Sequence, residues 1–238
     1  MERERSALDR SPPLTVSAIV PTLNEEAHLG ETLRHARQAG AQEIIVVDGG
    51  STDATRAVAR EFADLVLSAP RGRAAQMNAG ASRASGEILL FLHADTLLPA
   101  GGVDAVTNAC RQAAVVGGRF DVDLTPSTPV LRLTATLINW RSRISRIATG
   151  DQAIFVQRDI FERLGGYANI PLMEDIELSR RLKRTGRLAC LRQRGRIWPA
   201  PRRGIAPTPE RRLPVGFAYP KTSRTLRADG RPKPAESR

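Results

Sequence analysis

Carboxylates, glycines and one histidine collect in a few short segments of this 238-residue chain. The first pairs Pro21-Thr22-Leu23-Asn24-Glu25 with Asp48-Gly49-Gly50-Ser51-Thr52-Asp53. A carboxylate beside a Gly-Gly turn suits a nucleoside: Asp48 can accept from a base N–H or a ribose hydroxyl. Gly50 lets the backbone approach closely, and a helix starting at Ser51 offers amide donors. The plainer reading is that Asn24, Ser51, Thr52 and Asp53 only cap helices. A second segment, Arg71-Gly72-Arg73 through Asn78-Ala79-Gly80, puts the cation Arg73 at a helix start, where it could neutralise a pyrophosphate, or else simply face solvent. The third, His93-Ala94-Asp95-Thr96, places a carboxylate where Mg²⁺ or Mn²⁺ could bridge two phosphates. Imidazole serves Mn²⁺ better than Mg²⁺, so His93 is either a second ligand or a structural hydrogen bonder. The fourth is Glu174-Asp175, either a complement to a helix dipole or a general base, Asp175, for a hydroxyl. Asp151-Gln152 could line the far side of the same site.

These segments need strands and helices to present them. Thr15 to Val20 and Ile44 to Val47 are apolar, β-branched runs that read as buried strands. Asn24 looks like the N-cap of a helix that Gly40 ends, and Ser51 or Thr52 like the cap of one running through Phe62. A short strand at Leu65 to Leu67, a helix through Asn78 to Ala84 and a strand at Glu87 to Leu92 complete a β-α-β-α-β-α-β order. That order predicts a Rossmann-like, mostly parallel sheet flanked by helices, with ligands met at the carboxyl ends of strands. Farther on, a helix over 101–113 precedes Val115 to Leu124, whose alternation predicts a half-exposed strand. An apolar helix with basic residues covers Pro129 to Ile147. Gln152 to Val156 reads as a strand, Asp159 to Leu164 as a helix, and Met173 to Arg184 as another.

Charge divides the chain unevenly. The net charge is +11, but residues 192–238 hold 13 Lys/Arg against three Asp/Glu, together with eight of the 16 prolines. The basicity therefore belongs to an aperiodic end, expected to be disordered, as is the charged stretch 1–13. With only Phe217 and Tyr219 for stacking beyond Trp198, that end implies no specific nucleic-acid partner. No apolar run is long enough to span a bilayer, and no secretory leader pattern opens the chain, so a cytoplasmic location is expected. Cys110 and Cys190 fit no metal or redox spacing and are expected to be reduced.

Taken together, Pro-Thr-Leu-Asn-Glu, Val-Asp-Gly-Gly-Ser-Thr-Asp, Gly-Arg-Ala-x-Gln-Met-Asn-x-Gly, Phe-Leu-His-Ala-Asp-Thr and Glu-Asp resemble the family 2 glycosyltransferases of GT-A fold. They look particularly like a bacterial subgroup with His-Ala-Asp in place of Asp-x-Asp. The resemblance covers roughly residues 15 to 198, within a domain expected over 14–198 (donor half 14–100, acceptor half 101–198). It implies inverting transfer from a UDP- or GDP-linked sugar, with a divalent cation. On this resemblance Pro21, Thr22, Asn24, Glu25, Asp48, Gly50, Ser51, Arg73, Asn78 and Ala94 serve the donor. Asp95 and His93 serve the metal, Asp175 with Glu174 catalysis, and Asp151 and Gln152 the acceptor side. It leaves open a lipid-like or carotenoid acceptor met peripherally at the inner membrane face, and it does not fix the oligomeric state. Beyond Trp198 the likeness stops, which suggests a shifted reading frame or degenerate end and an impaired enzyme. A nucleotidyltransferase is the alternative enzyme class, although Pro21 to Glu25 lacks its basic Gly-rich loop.

Overall fold

The computed structural model describes residues 14–125 and 127–197. The expectations about 1–13, 199–238 and Trp198 lie outside these residues. Among the described residues eight strands form one sheet: β1 (Val16–Thr22), β2 (Glu43–Asp48), β3 (Leu65–Ser68), β4 (Ile88–Phe91), β5 (Thr96–Leu97), β6 (Val115–Leu124), β7 (Ile154–Gln157) and β8 (Arg187–Ile197). Their order across the sheet is β3-β2-β1-β4-β7-β6-β8-β5. β3, β2, β1 and β4 are mutually parallel, β7 is antiparallel to both neighbours, β6 and β8 are parallel, and β5 is antiparallel to β8.

Seven described helices flank this sheet: α1 (Leu29–Gln38), α2 (Thr55–Phe62), α3 (Arg73–Ala81), α4 (Gly102–Cys110), α5 (Pro129–Ser145), α6 (Arg158–Arg163) and α7 (Glu174–Thr185). The two-residue period of the strands divides their side chains between two cores. Ala18, Val20, Ile44, Val46, Ile88 and Leu90 face Leu29 and Leu33 of α1 and Val103 and Val106 of α4. Ile19, Ile45, Val47, Leu89 and Phe91 face Met77 of α3, Phe161 of α6, and Leu178 and Leu182 of α7. Helix α3 lies so near the sheet that a β-carbon on Gly80 would sit 2.5 Å from Ile19 Cγ2.

Several local expectations are corrected. Asn24 caps nothing: it has φ +54° and α1 begins only at Leu29. Neither Ser51 nor Thr52 caps α2; the Thr55 amide donates instead to Asp53 at 2.9 Å. Helix α3 runs from Arg73 to Ala81 rather than through Ala84, and α4 stops at Cys110. β6 is buried over its first eight residues, because β7 and β8 flank it and helices cover it, so its alternation misread its exposure. Gln152 belongs to a 3₁₀ turn (Gly150–Gln152) that precedes β7. β8 went unforeseen because its apolar run, Leu188 to Leu191, is short and gives way to alternating Arg192, Arg194 and Arg196, and β5 because two residues carry no periodic signal.

Candidate active site

The carboxyl ends of β1 and β2 are joined by reciprocal contacts between their loops. Asn24 N–H donates to Ser51 Oγ at 2.9 Å, and Asn24 Oδ1 accepts from the Thr52 amide at 2.9 Å. The Glu25 amide donates to Thr55 Oγ1 at 2.7 Å, and Glu26 accepts from the Ala54 amide at 2.8 Å. Burial alone would raise the Asp53 pKa, but hydrogen bonds from the Thr55 hydroxyl and amide and the Glu26 amide hold it below its ordinary value. Asp48 is 1% exposed. Its oxygens accept from the Gly50 and Ser51 amides, at 3.2 and 3.1 Å, and from the Ser51 hydroxyl. Pro21 and Thr22 are buried in β1, with Thr22 Oγ1 3.4 Å from the Val47 carbonyl. This wall is thus a rigid, internally bonded shelf rather than a row of free side chains.

A residue that spacing did not single out ties the shelf to α3. Gln76 is buried and its Nε2 donates to the Thr22 and Val47 carbonyls, each at 2.8 Å. Asn78, two residues on, clamps the loop before α7: its Nδ2 donates to the Tyr167 carbonyl at 2.9 Å, and its Oδ1 accepts from the Tyr167 amide at 2.8 Å. Tyr167 rests edge-on against Phe91 and Phe161. Burial, with Asp175 and Glu174 nearby, pushes its hydroxyl pKa well above the usual phenol range.

At the centre four segments that are distant in sequence meet. His93, its side chain 17% exposed, has Nδ1 3.4 Å from Asp151 and Nε2 3.3 Å from Arg73 Nη1. Burial lowers its pKa, yet the hydrogen bond and charge of Asp151 leave it raised overall. Arg73 Nε also lies 3.6 Å from Glu174, which is nearly buried. Asp175 is oriented by backbone: Oδ2 accepts from the Gly150 amide at 2.6 Å and Oδ1 from the Ile176 amide at 2.7 Å. A β-carbon at position 150 would stand 2.5 Å from His93 Nε2, so any larger residue there must displace the ring. Gln152 is buried, its Oε1 accepting from the Thr149 amide at 3.1 Å, while its Nε2 finds no hydrogen-bond partner among the described residues.

Arg73, His93, Asp151, Glu174 and Asp175 are therefore brought together, and the Asp48 shelf is tied to α3 through Gln76. Ala94 and Asp95 are buried beside His93, with the Ala94 carbonyl accepting from Thr32 Oγ1 at 2.8 Å. Among the described residues no three His, Cys, Asp or Glu side chains gather as metal ligands. Both nitrogens of His93 face protein partners, so the described residues assemble no His93–Asp95 ligand pair. Gln76 and Tyr167 were missed because each acts through a backbone or ring contact that spacing does not reveal.

The parallel strands β3, β2, β1 and β4, with Asp48 ending β2 and Asp95 following β4, give the architecture of a GT-A-type fold. The sequence profile described as Glycosyl transferase family 2 matches residues 17–165, and the chain belongs to that family. It is 36% identical over 164 residues to a PGL/p-HBAD biosynthesis glycosyltransferase of Mycobacterium tuberculosis, the match covering 63% of this chain and 62% of that one. It is 27% identical to the probable glycosyltransferase YdaM of Bacillus subtilis, covering 72% of this chain and 47% of the relative. The chain thus spans less than two thirds of the length of these relatives. Among solved structures, S. aureus TarS 1-349 in complex with UDP-GlcNAc superposes with a TM-score of 0.63 at 18% identity, covering 79% of this chain and 59% of that one. The glucosyl-3-phosphoglycerate synthase of Mycobacterium tuberculosis, in complex with Mn²⁺, UDP and glucosyl-3-phosphoglycerate, gives 0.58 at 17% identity, covering 79% and 73%. At these identities the likeness defines the fold.

Proposed function

We propose that this chain transfers a sugar from a UDP- or GDP-linked donor to an acceptor hydroxyl, with inversion at the anomeric carbon. The observation that carries this reading is the meeting of Arg73, His93, Asp151, Glu174 and Asp175 at one end of the sheet. The nucleoside would lie on the shelf of Thr22 to Glu25 and Asp48 to Ser51, with its diphosphate directed to the half-exposed Arg73 guanidinium. Asp95 and the donor's diphosphate oxygens would hold Mn²⁺ or Mg²⁺, which supplies positive charge to the departing diphosphate.

Asp175 takes the proton of the acceptor hydroxyl as that oxygen attacks the anomeric carbon. The bond from that carbon to the diphosphate breaks on the opposite face, and the nucleoside diphosphate leaves. The amides of Gly150 and Ile176 point the carboxylate while leaving it further lone pairs for the acceptor. His93, held by Asp151, positions Arg73 between the diphosphate and Glu174.

Calorimetric titration with UDP- and GDP-sugars, with and without Mn²⁺, followed by a transfer assay, tests this assignment. Asp175→Asn is expected to keep the donor Kd within about twofold and to cut turnover by roughly 10² to 10⁴-fold. Near wild-type turnover in that variant would remove Asp175 from the role of base.

A further inference from the structure

Helix α5 is built inside out. Its protein-facing residues are Ala135, Asn139 and Ser142, and it docks through polar contacts. Asn139 accepts from the Val122 amide at 2.9 Å and donates to the Val122 carbonyl at 3.0 Å, while Arg143 pairs with Asp121. The large apolar residues point away from the protein: Val130 is 71% exposed, Leu133 60%, Leu137 55%, Trp140 63% and Ile144 64%. Their spacing of three and four residues confines them to a stripe about 80° wide, along a helix roughly 25 Å long. An isolated exposed leucine needs no explanation, but an aligned row of five large apolar side chains does.

Charge decides what could cover the stripe. Helix α5 carries Arg132, Arg141 and Arg143 with no acidic residue, Arg143 already being paired with Asp121, and Arg146 forms its C-cap. A second copy would bring the same cations face to face. Residues 198–238, the longer of the terminal segments outside the described residues, are likewise strongly basic. An anionic bilayer instead matches both features, taking the aliphatic and indole groups among its acyl chains and the guanidiniums among its phosphates. No described helix is long and apolar enough to cross a membrane, so α5 would lie in the plane of the interface.

We propose that the outer face of α5 is a docking surface for an anionic lipid bilayer. Four residues after α5 the chain enters the turn of Gly150, whose amide holds Asp175, so a docked α5 sets the site close to the lipid surface. Exposed Leu172 and Met173, directly before α7, form a second apolar projection beside Glu174.

Flotation of the full chain with vesicles of phosphatidylglycerol mixed equally with phosphatidylcholine, against phosphatidylcholine alone, tests the proposal without any donor or acceptor. Binding to the anionic vesicles is expected, roughly tenfold or more stronger than to the neutral ones. The double variant Leu133→Glu, Leu137→Glu should lose about tenfold or more of it. A variant with Arg202, Arg203, Arg211 and Arg212 changed to Gln should keep binding that still depends on the stripe. Should the stripe variant fold poorly, Trp140 reads the contact directly: in a Trp198→Phe protein its emission should be quenched by brominated phosphatidylglycerol. No affinity for anionic vesicles, or an unquenched Trp140, overturns the proposal. So does binding that only the Arg-to-Gln variant abolishes, or a dimer in solution that only the stripe variant dissolves.

Discussion

Asp175 and His93 show how a side chain becomes useful through what holds it. Asp175 is aimed by two amides, one of them from Gly150, where an added β-carbon would stand 2.5 Å from His93 Nε2. Gly150→Ala is therefore expected to push His93 off its partners Asp151 and Arg73 and to move the amide that points Asp175. Steady-state kinetics should show turnover lowered by about 100-fold, as for an ångström-sized misplacement, with folding cost limited to about 1–3 kcal/mol. If turnover is unchanged, the close approach at Gly150 has no catalytic consequence.

The elements that carry these residues are fastened by two kinds of contact. Helix α3 brings Arg73, Gln76 and Asn78 to the site only because Gly80 lets it lie against Ile19 and Val47. Gly80→Ala would improve helix propensity by under about 1 kcal/mol yet force a clash with the β1 core. A net loss of roughly 1–3 kcal/mol in urea unfolding is expected, and a stabilised variant would refute the close packing. The loops after β1 and β2 depend instead on ionised Asp53, whose carboxylate accepts from the amides of Thr55 and Glu26. Because its pKa is lowered in the folded state, its contribution is present above the unfolded pKa and is lost as pH falls through the folded value. The stability gap between wild type and Asp53→Ala, measured by denaturant at several pH values, should be full near neutrality and shrink below about pH 4. A gap that widens on acidification would mean the carboxylate is not held in its charged form.

Across the whole chain, charge and apolar surface are segregated. Residues 1–191 are close to neutral, so the +11 net charge comes almost wholly from the last 47 residues. Affinity for DNA should accordingly be independent of base sequence and fall steeply between about 50 and 200 mM salt, as filter binding can show. A preference for one sequence that survives high salt would contradict this. The apolar stripe of α5 is a separate feature, and its exposure comes from the fold rather than from composition.

The sequence by itself determined the family and the order of elements through Phe91, since buried parallel strands are continuous apolar runs bounded by turn residues. It also marked Arg73, His93 and Asp175, because charged groups at strand and helix ends stand out against that apolar background. Tertiary structure alone decided that Asn24 and Asp53 stitch two loops together, since capping and cross-loop bonding use the same residue types. It alone paired β8 with β6, because the main-chain bonds of a sheet are indifferent to arginines pointing outward. The outward turn of the apolar side of α5 was likewise decided there. Periodicity reveals that a helix has an apolar face, but only the partners Val122 and Asp121 select which face meets the protein.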